Sequence, residues 1–216
     1  LMNRAGKYAD AVAEGEWCRC RDFTFSLGQS HELAGLTLGV VGFGSIGRAV
    51  AKIADAFGMK VLAAARTPKE SDIAEFVSLE TLFSKSDIVS LHCPLTDETR
   101  LLVNEKTLSL MKKTALLINT ARGPLVDTNA LLDALESGKV GAAGLDVVED
   151  EVGLYHHDWK NTVIHNRFIP LLRGFNNVIL TSHKAYYTDQ SVSDMVRNSL
   201  LGCYNAEHGL PNPFEV

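Results

Sequence analysis

The residues of this 216-residue chain best suited to chemistry are of two kinds: a glycine loop, and polar side chains that each follow an apolar run. Gly42-Phe43-Gly44-Ser45-Ile46-Gly47 has the spacing G-x-G-x-x-G. The string alone is weak. Here it follows the apolar run 36–42 and opens a segment of helical periodicity, which is the setting the motif needs. Gly42 permits a tight turn, Gly44 lets backbone approach a pyrophosphate, and Gly47 lets helix and strand pack closely. The N–H groups around Ser45 and Ile46 then face phosphate oxygens. The plainer alternative is a strand–helix turn without a ligand; the run of strand–helix units behind it favours a dinucleotide.

The choice of dinucleotide turns on the second strand. An NAD site places an acidic residue at its end, ~20 residues on, to bind the adenosine ribose. That strand ends at Ala65, and Arg66, Thr67 and Lys69 follow in place of an acid. A guanidinium, a hydroxyl and an ammonium suit a 2′-phosphate, and the missing carboxylate removes a repulsion. The segment therefore points to NADP ahead of NAD, with Arg66 as a merely solvated charge the alternative.

In an open α/β sheet, ligands bind beyond the carboxyl ends of the strands. His92, Cys93 and Pro94 follow one strand-like run; Thr120, Ala121, Arg122 and Gly123 another; Asp146, Glu149 and Glu151 a third; Ser182 and His183 a fourth. An arginine, acids and a histidine converging on one crevice suit a small anionic substrate and proton transfer. Each has a bland counterpart. Arg122 could be a surface charge, residues 149–151 a solvated acidic loop, His183 a pin for the last loop, and His92 a structural histidine. Asp146 ends a very apolar strand, so a ligand or a backbone cap must satisfy it.

These groups need elements to hold them. Residues 1–35 form a preface, with a helix over 5–17 carrying Tyr8, Val12 and Trp17 on one side, then a linker with a short strand at 22–25. A strand over 36–42, a helix over 45–57 and a strand over 60–65 make a βαβ unit. That helix carries Ile46, Val50, Ile53, Ala54 and Phe57 on one face, and Gly58 ends it. Helices follow at 78–84, 104–110 (with Asn104 as cap) and 127–137 (closed by Gly138), alternating with strands at 87–91, 114–119 and 142–147. Leu116, Leu117 and Ile118 are the expected buried set of the strand 114–119. A long loop over 148–176, a strand at 178–181 and a helix at 191–205 complete the chain. Six or seven strands alternating with helices give an α/β, doubly wound parallel sheet, the Rossmann-type dinucleotide-binding fold. The expected division is a helix and linker over 1–35, the dinucleotide-binding domain over 36–188, and a terminal helix over 189–216.

Composition agrees. With 46% hydrophobic and 22% charged residues the chain is globular rather than disordered. Its 21 basic and 26 acidic residues give a net charge of −5 without a basic block, which argues against nucleic acid as partner. No apolar run approaches the ~18 residues of a membrane span, and no secretory leader is apparent. Cys18, Cys20, Cys93 and Cys203 are irregularly spaced, and Cys18 and Cys20 are too close for an easy disulfide. Free thiols, a reducing compartment and a cytoplasmic location are expected. The chain begins at Leu1 rather than Met, as expected of a piece of a longer protein.

Four segments now quoted in part carry a family resemblance. Gly42-Phe43-Gly44-Ser45-Ile46-Gly47, His92-Cys93-Pro94-Leu95-Thr96, Asn119-Thr120-Ala121-Arg122-Gly123-Pro124-Leu125-Val126-Asp127 and Ala143-Gly144-Leu145-Asp146-Val147 resemble the D-isomer-specific 2-hydroxyacid dehydrogenases. Glu149-Asp150-Glu151-Val152-Gly153-Leu154-Tyr155, Asp158-Trp159 and Thr181-Ser182-His183-Lys184-Ala185-Tyr186-Tyr187-Thr188 resemble the D-lactate members. Residues 8–25 and 63–67 look more like glycerate or hydroxypyruvate members.

The resemblance implies an oxidoreductase that moves a hydride between NADP or NAD and a small 2-keto or D-2-hydroxy acid, pyruvate and D-lactate first. A glycerate/hydroxypyruvate (glyoxylate) reductase and a non-enzymatic dinucleotide-sensing or dimerising module are the alternatives. It implies Arg122 as the grip on the substrate carboxylate, His183 as general acid, and Glu151, not Glu149, as the acid that orients it. Asp146 stands near the nicotinamide carboxamide. Phe43, Arg66, Thr67, His92, Cys93, Pro94, Thr99, Thr120, Ala121, Arg122 and His183 join the glycine loop around the cofactor. No metal is implied. A homodimer is, its interface built from the 1–17 helix and the helix starting at Ser45. The family's second, smaller substrate domain is expected to be largely missing from this chain.

Overall fold

The computed structural model describes residues 1–216 apart from 29, 69, 155–157, 161, 164 and 213–216. Seven strands, β1 (Thr37–Val41), β2 (Lys60–Ala64), β3 (Glu75–Phe76), β4 (Ile88–Leu91), β5 (Leu116–Asn119), β6 (Ala142–Leu145) and β7 (Val178–Leu180), form one sheet in the order β3-β2-β1-β4-β5-β6-β7. Every pairing is parallel. The chain runs outward from β1 to β3 and then crosses back to β4, so the order reverses between β1 and β4. That switch point is where an open α/β sheet leaves a crevice at its carboxyl edge.

The helices follow from capping and periodicity. Ser78 accepts from Thr81 N to start α4 (Leu79–Lys85), Asn104 and Thr107 close a capping box on α5 (Glu105–Leu110), and Asp127 accepts from Ala130 N to start α6 (Thr128–Glu136). One core packs around Leu82, Phe83, Val89, Leu91, Leu117 and Leu131, and a smaller one around Val40, Ala51 and Val61. Burial of these strands on both faces explains why they read as continuous apolar runs.

Three expectations need correction. The helix over 5–17 breaks at Gly15, whose φ of +82° ends it, leaving α1 (Ala5–Ala13) and α2 (Glu16–Arg19). Tyr8 also has work within the chain, because its hydroxyl accepts from Leu27 N at 2.8 Å and its ring packs on Phe25. Residues 22–25 form no strand and join none of the seven, and Phe23 stays 91% exposed. In β5, Leu117 and Asn119 are buried while Leu116 and Ile118 are half-buried, so an asparagine takes a place expected for an aliphatic residue. In α3 (Ser45–Ala56), the face against the sheet is the small set Gly47, Ala51 and Ala54, and Ile46, Ile53 and Phe57 point outward. A helix entered through a glycine turn lies too close to its strand for large side chains. The two-residue strand β3 has no counterpart in the sequence reading.

By its internal contacts the chain divides into a unit Leu1–Thr181, which carries the whole sheet and α7 (Phe168–Arg173), and a unit Ser182–Val216. The second unit is built on α8 (Asp189–Glu207), capped by the Thr188 side chain on Ser191 N. None of its described residues is buried, and Met195, Val196, Leu200, Leu201 and Tyr204 are exposed. No helix among the described residues is long and apolar enough to cross a membrane. All four cysteines are free, as their spacing led us to expect.

Candidate active site

The glycine loop lies at the carboxyl end of β1. Gly42 has φ +92°, and a Cβ on it would sit 2.5 Å from Cys93 N. A Cβ on Gly47 would sit 2.1 Å from Gly42 O. Both glycines are therefore demanded by the chain itself. Gly44 is not: a Cβ there would meet nothing within 4 Å. It is the N-cap residue of α3 and provides no side-chain cap, so the first N–H groups of that helix lack one. Open space in front of an uncapped twelve-residue helix is a cradle for an anion, and it fits the pyrophosphate of a dinucleotide. Ser45 and Ile46 are exposed at its mouth, and Phe43 stacks edge-on against Phe76 beside it. At the end of β2, Arg66 and Thr67 are exposed; Lys69 lies outside the described residues.

β4 delivers the next group. His92 N donates to Val41 O at 2.7 Å, and its Nε2 shares a 2.9 Å hydrogen bond with Ser90 Oγ on the same face of the strand. Burial pushes the His92 imidazole below its usual pKa and the Cys93 thiol above its own. The loop beyond is closed by Thr99, whose hydroxyl donates to Pro94 O at 2.7 Å and accepts from Thr96 N.

β5 ends in Asn119, which the sequence reading passed over. Its buried carboxamide accepts from Ala121 N at 3.0 Å and donates to Arg122 O at 2.9 Å, so it shapes the turn through Thr120 that carries Arg122. A carboxamide closing an apolar strand was the available signal. Arg122 is exposed, its Nη1 resting on Ala121 O at 2.7 Å. The following Gly123 sits hard against the next loop, where a Cβ would fall 2.1 Å from Val148 O.

β6 ends in Asp146, which is buried and accepts from the Thr181 hydroxyl at 2.5 Å. A neighbouring strand's side chain thus helps to meet the need for which a ligand or a backbone cap was expected. The acids that follow part company. Glu149 turns inward, and its Oε2 accepts from Thr128 N, in the first turn of α6, at 2.7 Å. Asp150 is exposed with φ +56°. Glu151 opens a 3-10 turn, Glu151–Leu154, and its Oε2 accepts from Val148 N at 3.2 Å. Tyr155 lies outside the described residues. Asn166, also missed, is buried and bonds the main chain of this loop.

The unit Leu1–Thr181 thus carries the glycine loop, His92, Cys93, Arg122, Asp146 and Glu151 on the segments that follow the carboxyl ends of β1, β4, β5 and β6. His183 belongs to the second unit, with φ +51° and its ring edge-on to Tyr186.

Residues 1–185 match the family described as D-isomer specific 2-hydroxyacid dehydrogenase, NAD binding domain. The chain belongs to that family. A D-lactate dehydrogenase of Curvularia clavata is 40% identical over 197 residues, which cover 89% of this chain and 57% of that protein. A D-specific alpha-keto acid dehydrogenase of Enterococcus faecium is 42% identical over 186 residues, 86% of this chain and 57% of its own. The crystal structure of the Aquifex aeolicus D-lactate dehydrogenase complexed with NAD and lactic acid superposes with a TM-score of 0.85 at 38% identity, covering 97% of this chain and 63% of that one. The chain therefore spans about three fifths of the length of these 2-hydroxyacid dehydrogenase relatives. What it contains is the NAD-binding domain of the family, a fold and a phosphate cradle that suit NAD or NADP.

Proposed function

We propose that this chain is the cofactor-bearing part of an NAD(P)-dependent D-2-hydroxyacid dehydrogenase whose substrate pair is pyruvate and D-lactate. The observation that carries the site assignment is the parting of the two glutamates. Glu149 is engaged on the first turn of α6, whereas Glu151 accepts from Val148 N and is presented from its own turn as the acid that supports His183. The names of the relatives just cited favour the D-lactate pair.

When bound, the nicotinamide supplies or accepts the hydride, so the protein supplies position and charge. Arg122 grips the keto-acid carboxylate through its planar fork. His183 gives a proton to the carbonyl oxygen in reduction and takes it back in oxidation. Glu151 is the acid that orients its ring. Asp146, held by Thr181, would stand near the nicotinamide carboxamide, and the uncapped start of α3 would take the pyrophosphate.

In the full-length protein, His183→Ala is expected to lower keto-acid reduction by ~100- to 10,000-fold with dinucleotide affinity kept. Arg122→Ala should raise KM, and Arg122→Lys should not restore it, because an ammonium lacks the fork. Turnover surviving in His183→Ala would defeat the assignment.

One observation favours a glycerate or hydroxypyruvate reductase instead: exposed Arg66 and Thr67 at the end of β2, where no acid stands. Comparing pyruvate with hydroxypyruvate turnover separates the two. Arg122, Glu151 and His183 together argue against a pure dinucleotide sensor, which needs none of them. A homodimer is proposed on the outward face of α3, where Ile46, Ile53 and Phe57 are exposed. The four free cysteines suit a reducing compartment such as the cytoplasm.

A further inference from the structure

The loop after β6 has to reverse direction within a few residues, and it does so through Asp150 at φ +56°, a conformation that L side chains rarely adopt. A turn of this kind persists only where its surroundings hold it. Here one buried side chain grips it from both sides. Asn166, 5% exposed, donates from Nδ2 to Glu149 O at 3.2 Å and to Asp150 O at 3.4 Å. Its Oδ1 accepts from Phe168 N at 3.0 Å and Ile169 N at 3.1 Å, so both donors and both acceptor positions of the amide are in use.

The second hold comes from Glu149. Its carboxylate reaches across 21 residues of sequence to Thr128 N, and Thr128 is only 2% exposed. That N–H is one of the first-turn donors for which a helix offers no internal acceptor. Asp127 takes Ala130 N in the same turn, so the two acids divide the donors between them. Beside this bond Gly123 is pressed on Val148 O, and Asn119 holds Arg122 O. The turn that carries Arg122 and the turn that carries Glu151 are thereby fastened to one base, the start of α6.

We propose that Glu149 is a positioning residue for the reaction, acting as a hydrogen-bond acceptor rather than as a charge, with Asn166 as the second half of the same clasp. It sets the height of Glu151 and, through Val148 and Gly123, the place of Arg122. This rests on Glu151 being the acid that supports His183.

The test uses the full-length enzyme and four variants. Glu151→Gln sets the size of the kcat loss when the supporting acid itself is removed. Glu149→Ala is expected to lower kcat ~10- to 100-fold, as small misplacements do. KM for the keto acid should rise, and dinucleotide affinity should stay. Glu149→Gln keeps an oxygen that can accept from Thr128 N and is expected to behave as wild type.

Thr128→Pro removes the N–H and leaves Glu149 untouched. Proline is well tolerated at the first helical position, and extended Asp127 suits a following proline. It should reproduce Glu149→Ala, and it serves if Glu149→Ala does not fold. If Glu149→Gln is as damaging as Glu149→Ala, a charge is at work and the proposal is overturned. It is overturned also if Thr128→Pro leaves both kcat and KM in place. If Glu151→Gln itself leaves kcat in place, the reading of Glu151 falls. Glu149 is then decided by KM alone: raised in Glu149→Ala and restored in Glu149→Gln supports the clasp, and any other pattern removes it.

Discussion

A histidine in the crevice that is not the proposed acid makes its own prediction. His92 is held by Ser90 and by Val41 O, and burial keeps its pKa below 6.5 in the folded state. The unfolded chain therefore binds more protons than the folded one once the pH falls to about 6.5 and lower, and stability there must decrease with acidification. Above that pH the contribution is complete. Thermal unfolding followed from pH 8 to pH 5 should show wild type losing more Tm on the acid side than His92→Asn. Parallel curves would show that His92 does not titrate against the fold. Arg66 carries a second prediction at this scale. Arg66→Ala should weaken NADP(H) binding more than NAD(H) binding, since only the former has the extra phosphate, and equal losses would show that Arg66 does not read it. Residues of this sort were legible because each follows an apolar run at a strand end. The roles of Glu149 and Asn166 were not, because their meaning lies in distant partners. Glu149 bonds an N–H in another element, and Asn166 bonds carbonyls 16 and 17 residues upstream. No local pattern encodes those distances.

At the scale of elements, α3 separates what periodicity can and cannot say. Its helical period was plain, and its large apolar residues share one face, but the period does not say which face meets the sheet. The structure buries Gly47, Ala51 and Ala54, and leaves Ile46, Ile53 and Phe57 outside. An apolar face and a buried face coincide only when the neighbour leaves room, and a Cβ clearance of 2.1 Å at Gly47 leaves none. Strands were easier to read, since burial on both sides makes the whole run apolar whatever the register. The two-residue β3 was too short for any period, and residues 22–25, also short and without a clean period, pair with no strand. The two faces of α3 should respond oppositely to mutation. Ala51 is completely buried, so Ala51→Leu should overpack the sheet contact, cost about 1–3 kcal/mol and lower Tm by several degrees. Ile53→Lys on the outer face should leave the fold of one chain nearly as stable, within about 0.5 kcal/mol, while shifting sedimentation toward the monomer. A wild-type protein that already sediments as a monomer at ~100 µM would remove α3 as a self-association surface.

At the scale of the whole molecule, binding and turnover are expected to part. Everything assigned to the dinucleotide except His183 lies within the unit Leu1–Thr181, so residues 1–216 alone should bind NAD(H) or NADP(H). Turnover asks for more. The reacting atoms must be held within a fraction of an ångström and kept from water, which one open edge of a sheet does not achieve. The relatives that share this domain are longer, this chain covering 57% of the Curvularia enzyme and 63% of the Aquifex one. The second unit points the same way. α8 runs 19 residues with no buried described residue, and it exposes Met195, Val196, Leu200, Leu201 and Tyr204, apolar surface of the kind a further domain covers. The decisive measurement is steady-state reduction of pyruvate by residues 1–216, beside a nucleotide titration of the same sample and the same two assays on a protein extended to the length of its relatives. The expected result is comparable nucleotide affinity in both, with turnover confined to the longer protein. Turnover by residues 1–216 in the ordinary enzyme range of ~1–1000 per second would show that the domain closes its own site. Failure of both proteins to bind a dinucleotide would reach further, because it would leave the open space at Gly44 and the uncapped start of α3 without the ligand that accounts for them.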